Sequence, residues 1–165
     1  MKYLIIFLIT THSLYAQEAW IDRSRIYPEQ LRGISTGLIL YHTPSPNYPV
    51  LTNKPDEAKY KWEHDTCIIP ILDNLQIIEA GSFIWIKEKG WLPNMKFSKK
   101  EAKKAFSILD KKLKKESYCF EKNTRFGNDL FAGDALWYVL AKDPSGTIYK
   151  GIGIIETEAE LQSQN

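Results

Sequence analysis

Alternation of apolar and polar side chains, the period of a β-strand, recurs through most of this chain. Across residues 60–70, Tyr60, Trp62, His64, Thr66 and Ile68 share one parity while Cys67 and Ile69 take the other. The segment therefore reads as a strand with His64 and Cys67 on opposite faces of its sheet. Residues 37–43, GLILYHT, predict a strand ahead of it. Between the two, Pro44, Pro46, Pro49 and Pro55 exclude a helix and a central strand, which leaves a long loop or an edge.

Farther on, Asp73-Asn74 marks a turn and residues 75–80 a strand. Gly81 is placed for a bulge or kink, with 82–87 as continuation or next strand. Lys89-Gly90 is a hairpin turn signal, and Pro93 puts the returning strand, 91–97, near an edge. Residues 135–142 carry a near-continuous apolar run, LWYVLA, as a central strand does. Asp143-Pro144-Ser145-Gly146 is a type I turn sequence leading into a last strand at 147–157. The stretch 116–134 has turn signals but no clear period, and it reads as loose connection.

One segment has the helical period instead. Ser98 and Glu101 form a capping box, and Ala102, Ala105, Phe106, Leu109 and Leu113 fall on one stripe. The spacing predicts a helix from 98 to about 114 with Leu109 and Leu113 on its buried side. The element order becomes β, β, β, β, α, β, β, without the βαβ alternation of a parallel sheet. The expected fold is mainly β: an antiparallel β-sandwich of immunoglobulin-like or cupredoxin-like general shape, with one amphipathic helix inserted. The alternative is an α+β fold with the helix packed on one antiparallel sheet.

Residues 1–16 combine Lys2, an apolar run at 3–9 and a short polar stretch ending at Ala16, the layout of a secretory signal peptide and too short for a permanent span. The domain plan is then a signal at 1–16, an irregular N-terminal arm at 17–35 packing aromatics such as Trp20 and Tyr27, one β-rich domain at 36–158, and a frayed tail at 159–165. The expected location is periplasmic or secreted. In an exported chain the two cysteines, Cys67 and Cys119, are expected to be bonded to each other. For a loop of 52 positions the chain-entropy model gives about 4 kcal/mol of stabilisation.

Charge changes the picture most. Residues 99–115 hold eight lysines (99, 100, 103, 104, 111, 112, 114 and 115) against Glu101 and Asp110, an excess of six. The chain carries +2 overall; losing Lys2 with the signal leaves +1, so the rest of the mature chain sums to about −5. Lys103, Lys104, Lys111 and Lys112 are candidate contacts for an acidic protein or an anionic surface, and Trp91, after the Lys89-Gly90 turn, is a candidate exposed aromatic whose structural alternative is a packed tryptophan. A solvated, lysine-rich helix face is the plain structural alternative. Nucleic acid is not an expected partner, since the chain is exported and no nucleic-acid motif accompanies the lysines.

Catalytic signals are weak. Glu63 and Asp65 share a strand face, but two acids at strand spacing are common on solvent faces, and no G-x-S-x-G, P-loop, Rossmann or H-E-x-x-H motif occurs. A metal or redox site would draw on His42, His64, Cys67 and Met95, and it requires free thiols and converging side chains. The expected function is a small exported, non-enzymatic domain without a cofactor, binding a protein or anionic partner as a periplasmic inhibitor, immunity-type or accessory protein. The alternatives are a periplasmic metal-binding or redox protein, and a hydrolase of glycans or peptides.

Overall fold

The long alternating strand at Tyr60–Pro70 is the spine of one of two sheets in the computed structural model, which describes residues 25–53, 56 and 58–161. The signal peptide expected at 1–16, Trp20 and the end of the tail lie outside the described residues. Nine strands are present among those described: β1 Ser35–Thr36, β2 Leu38–Thr43, β3 Val50–Leu51, β4 Tyr60–Pro70, β5 Gln76–Ile86, β6 Gly90–Ser98, β7 Tyr118–Gly127, β8 Gly133–Lys142 and β9 Ile148–Thr157. One short helix, α1, Lys99–Ala105, follows β6. The first sheet has β4 at its centre, with β2 and β3 sharing one side and β7 on the other. The second runs β1-β9-β8-β5-β6, antiparallel except for the short β1–β9 pair. The chain is a mainly β, sandwich-like fold, as the alternation implies.

Each sheet turns one parity inward. Leu38 and Leu40 of β2, Ile68 of β4 and Tyr118 of β7 meet Ile77 and Ala80 of β5, Trp137, Val139 and Ala141 of β8 and Ile155 of β9 in one core. The other parity of β8, Leu136 and Tyr138, packs with Phe83 and with Leu31, which the arm supplies from a 3₁₀ turn at Glu29–Leu31. β8 is therefore covered on both faces, which is why its sequence is apolar almost throughout. The two sheets meet most closely where β2 crosses β9. A Cβ at Gly153 would stand 2.8 Å from the Leu40 carbonyl oxygen and one at Gly151 3.2 Å from that of Leu38. At Gly153 only glycine admits this approach of backbone to backbone, and at Gly151 a side chain would press β2 away by a few tenths of an ångström.

Several turns follow their sequence signals. The Gly146 amide donates to the Asp143 carbonyl at 3.1 Å, closing the β8–β9 turn, and Lys89 donates to Ile86 at 3.0 Å before Gly90, whose φ is 74°. Pro93 lies on β6, the edge of its sheet.

Three expectations need correction. α1 does not reach residue 114: it ends at Ala105, and Ser107 takes a left-handed φ of 53°. There the Ile108 amide donates to Lys103 at 2.8 Å and the Ser107 amide to Lys104 at 3.2 Å, the paired bonds of a Schellman stop, with Ile108 buried beneath. Second, Leu109 is 94% exposed rather than buried on a helical stripe. Third, the stretch read as loose connection holds the ten-residue strand β7. Its alternation is broken because Glu121 and Lys122 together oppose the single residue Asp65, and Lys122 has φ 50°. This bulge moves the inward parity from Tyr118 and Phe120 to Asn123 and Arg125.

Candidate functional site

Two groups of chemistry-bearing residues stand out, one inside the sandwich and one on its surface. The inner group follows from register. His42 is the last inward residue of β2 and lies opposite Thr66 of β4, while His64, two residues earlier on β4, lies opposite Asn123 of β7. The imidazoles come together edge to face, with ring centroids 5.3 Å apart. Asn47 closes the group from the loop after β2; its amide donates to the Glu156 carbonyl and its carbonyl accepts from the Glu158 amide, which fixes it against β9.

Amides and a hydroxyl surround the rings. His42 Nδ1 is 3.2 Å from Thr66 Oγ1. His64 has Asn47 Nδ2 3.2 Å from its Nδ1 and Asn123 Nδ2 3.2 Å from its Nε2. A neutral imidazole donates at one nitrogen and accepts at the other, so one of these amides presents its oxygen. His42 Nε2 is buried without a hydrogen-bond partner. The Gly153 backbone lies beside it, too poorly placed to form a bond but near enough to favour the protonated ring slightly.

Burial dominates the titration of both rings. The His42 pKa falls to about 4 through loss of solvent, reinforced by the neighbouring His64. His64 also falls to about 4 through burial, against a small opposing pull from Asp65. At neutral pH both are uncharged, and the hydrogen bonds described for them come from amides and a hydroxyl rather than from a carboxylate. The arrangement is that of a neutral polar plug between two sheets.

Of the residues considered as metal donors, His42 and His64 are brought together and the others are not. Cys67 is on the opposite face of β4, bonded to Cys119 directly across from it on β7, with Cα atoms 4.1 Å apart. Met95 is on β6, in the other sheet. Among the described residues no group of three or more His, Cys, Asp or Glu side chains is placed to hold a metal ion.

The surface group is the segment from Ser98 to Lys115. The Ser98 capping box forms as read: the Glu101 amide donates to Ser98 Oγ, and the Ser98 amide donates to the Glu101 carboxylate at 2.8 Å. The Ser98 hydroxyl, which donates to the same carboxylate at 2.7 Å, and then the Ser98 amide hold the Glu101 carboxyl below its ordinary range. Lys103 and Lys104 are on α1; Lys111 and Lys112 follow the helix stop, so the four do not form one helical face. Seven of the eight lysines are exposed and Lys103 is half-buried.

Local bonds shape the loop after α1. Lys103 Nζ donates to the Leu109 carbonyl at 3.5 Å and Lys112 Nζ to Asn74 Oδ1 at 2.9 Å. Lys114 pairs with Asp110 at 2.7 Å and Lys115 with Asp73 at 3.3 Å. The bond to Lys114 lowers the Asp110 pKa and raises that of Lys114. A backbone bond from Leu113 to Leu75, 2.8 Å, pins the loop to the β4–β5 turn. Between them lies an open cleft lined by Asp73, Asn74 and residues 110–115.

Trp91 does not extend this surface. It is half-buried on β6, its ring meeting Trp85 edge to face at 5.1 Å and its Nε1 enclosed. Glu63 and Asp65 do lie on the outer face of β4, each bonded to β7: Thr124 Oγ1 donates to Glu63 at 3.0 Å and the Lys122 amide to Asp65 at 2.9 Å. Sequence reasoning missed Asn47, Thr66 and Asn123 as partners of the histidines, since only long-range register joins them. It also missed Leu109 as a surface residue, because Ser107 carries no glycine or asparagine signal for the left-handed stop.

No protein-family model, no curated protein and no solved structure matches the chain.

Proposed function

We propose that the chain is a small exported, non-enzymatic domain that binds an anionic partner through residues 98–115. The observation that carries this reading is the concentration of exposed lysines on that segment against a negative remainder. Such a separation of charge raises the local concentration of an anionic partner and orients the approach. The bonded cysteine pair suits an oxidising compartment and supports export. Among the described residues no helix is long and apolar enough to cross a membrane.

The test is retention on immobilised heparin as salt is raised. Replacing Lys103, Lys104, Lys111 and Lys112 by glutamate is expected to bring elution to much lower salt. A control with the same change of charge elsewhere, at the exposed Lys87, Lys89, Lys122 and Lys142, is expected to move elution far less. Equal shifts for the two variants would show net charge alone at work and remove residues 98–115 as a site.

A further inference from the structure

Resting on that reading, we infer that residues 98–115 and the adjoining β4–β5 turn form a docking surface for an anionic phospholipid bilayer, with Leu109 as its apolar anchor. Leu109 is 94% exposed, and its position is imposed by the fold. The left-handed Ser107 and the buried Ile108 end the helix just before it, and Leu113 is tied to Leu75 just after it. The backbone is held at both ends, so Leu109 has no local route into the core. The neighbouring turn carries two more exposed aliphatics, Ile71 at 45% and Leu72 at 37%. It is joined to the lysine loop by the Lys112–Asn74 and Lys115–Asp73 contacts.

Composition favours lipid over a protein as the occupant. The cationic residues from 98 to 115 are all lysine, with no arginine. Lysine is depleted from protein–protein interfaces, where arginine and aromatic side chains are enriched. Its compact, strongly hydrated charge on a flexible stem suits a diffuse layer of head groups, and each lysine near an anionic membrane adds a modest attraction. Aliphatic tips on two adjoining loops, with the exposed Lys111 and Lys112 following Leu109 and with Lys114 and Lys115 paired to Asp110 and Asp73, need no shaped pocket. They need only a fluid apolar layer behind a plane of negative charge.

The experiment is co-sedimentation of the full mature chain with vesicles of phosphatidylcholine alone and of phosphatidylcholine mixed with phosphatidylglycerol. Sedimentation is expected only with the anionic vesicles, weakening as salt rises. Leu109→Asp is expected to weaken it by about tenfold or more, from lost insertion and added charge, while leaving circular dichroism unchanged. Leu109→Trp is expected to retain binding and to give a blue-shifted fluorescence on vesicle addition. Absence of sedimentation, or equal sedimentation of Leu109→Asp and the parent, overturns the lipid assignment. If heparin retention still depends on the four lysines while vesicles do not bind, an anionic partner stands and the bilayer falls. If neither holds, both readings fall.

Discussion

The His42–His64 pair and the lysines of residues 98–115 are both clusters of nitrogen bases, yet the fold treats them in opposite ways. The histidines are desolvated between two sheets, hydrogen-bonded to amides and a hydroxyl, and held neutral. Seven of the eight lysines remain in water, and the buried Ile108 and Leu113 between them anchor the backbone. Burial turns a base into a determinant of stability, because its charged form is excluded from the native state. Exposure leaves the charge available to a partner and nearly without consequence for folding. The two regions should therefore respond to different perturbations.

The largest expected effect comes from cutting the link between them. Cys119 stands soon after the lysine segment and ties it to β4, the strand that presents His64 on its other face. The double variant Cys67→Ala/Cys119→Ala should lose about 2–4 kcal/mol in denaturant unfolding. Loss from β7 of the register that sets Asn123 against His64 would appear as faster amide exchange in both strands. If stability is unchanged, the bridge is ornamental and the regions are independent.

Next is pH. The native pKa of His42, about 4, lies below its ordinary value of 6.5. Between those values the unfolded chain binds more protons than the folded one, so stability rises with pH across that window. It is fully present above about pH 6.5, falls as pH drops, and levels off below about pH 4. His42 contributes on the order of 3 kcal/mol to this fall. His64 shares the direction with a smaller share, since it is partly exposed and the Asp65 carboxylate pulls against the fall. Urea unfolding across the window should show the slope, and His42→Gln should flatten most of it. A flat profile in the parent would mean that the rings are solvated and the contrast with the lysines is wrong.

How much of this was legible from sequence depends on whether the period was interrupted. β4, β8 and β9 kept their alternation or their apolar run and were read directly, as were the β8–β9 turn and the Ser98 cap. β5 and β7 each contain an extra residue: Ile78 interrupts the register with β8, and the Glu121-Lys122 pair that with β4. An extra residue reverses which parity faces inward, so a strand with a bulge resembles a segment with no period. β5 survived this because it is strongly apolar, whereas the polar β7 did not. The opposite faces of His64 and Cys67 follow from an odd offset and were readable. The meeting of His42 with His64 depends on pairing between separate strands, which local pattern does not encode.

A smaller effect probes the start of the exposed region. Ser98 accepts from the Glu101 amide, and Ser98→Ala removes that acceptor and half of the capping box. The expected loss is about 1 kcal/mol, read from thermal or urea unfolding. Because α1 is only seven residues long and is held also by the buried Ala102 and by Phe106 at its end, the segment should stay folded and heparin retention should persist. A variant that lost retention as well would make the lysine surface dependent on helical order and blur the distinction between the regions.

The smallest expected effect on stability is the most discriminating. Lys111→Glu/Lys112→Glu alters two exposed side chains, of which Lys112 gives up one bond to Asn74. Exposed substitutions of this kind stay within about 0.5 kcal/mol, and relief of repulsion among neighbouring lysines opposes the lost bond. Unfolding should therefore be nearly unchanged while retention on heparin drops clearly. A large loss of stability would mean that these lysines hold the loop against the β4–β5 turn, as the bonds of His42 and His64 tie β2 to β4 and β4 to β7. The charge would then belong to the architecture, and the dense lysine run would need no partner to explain it.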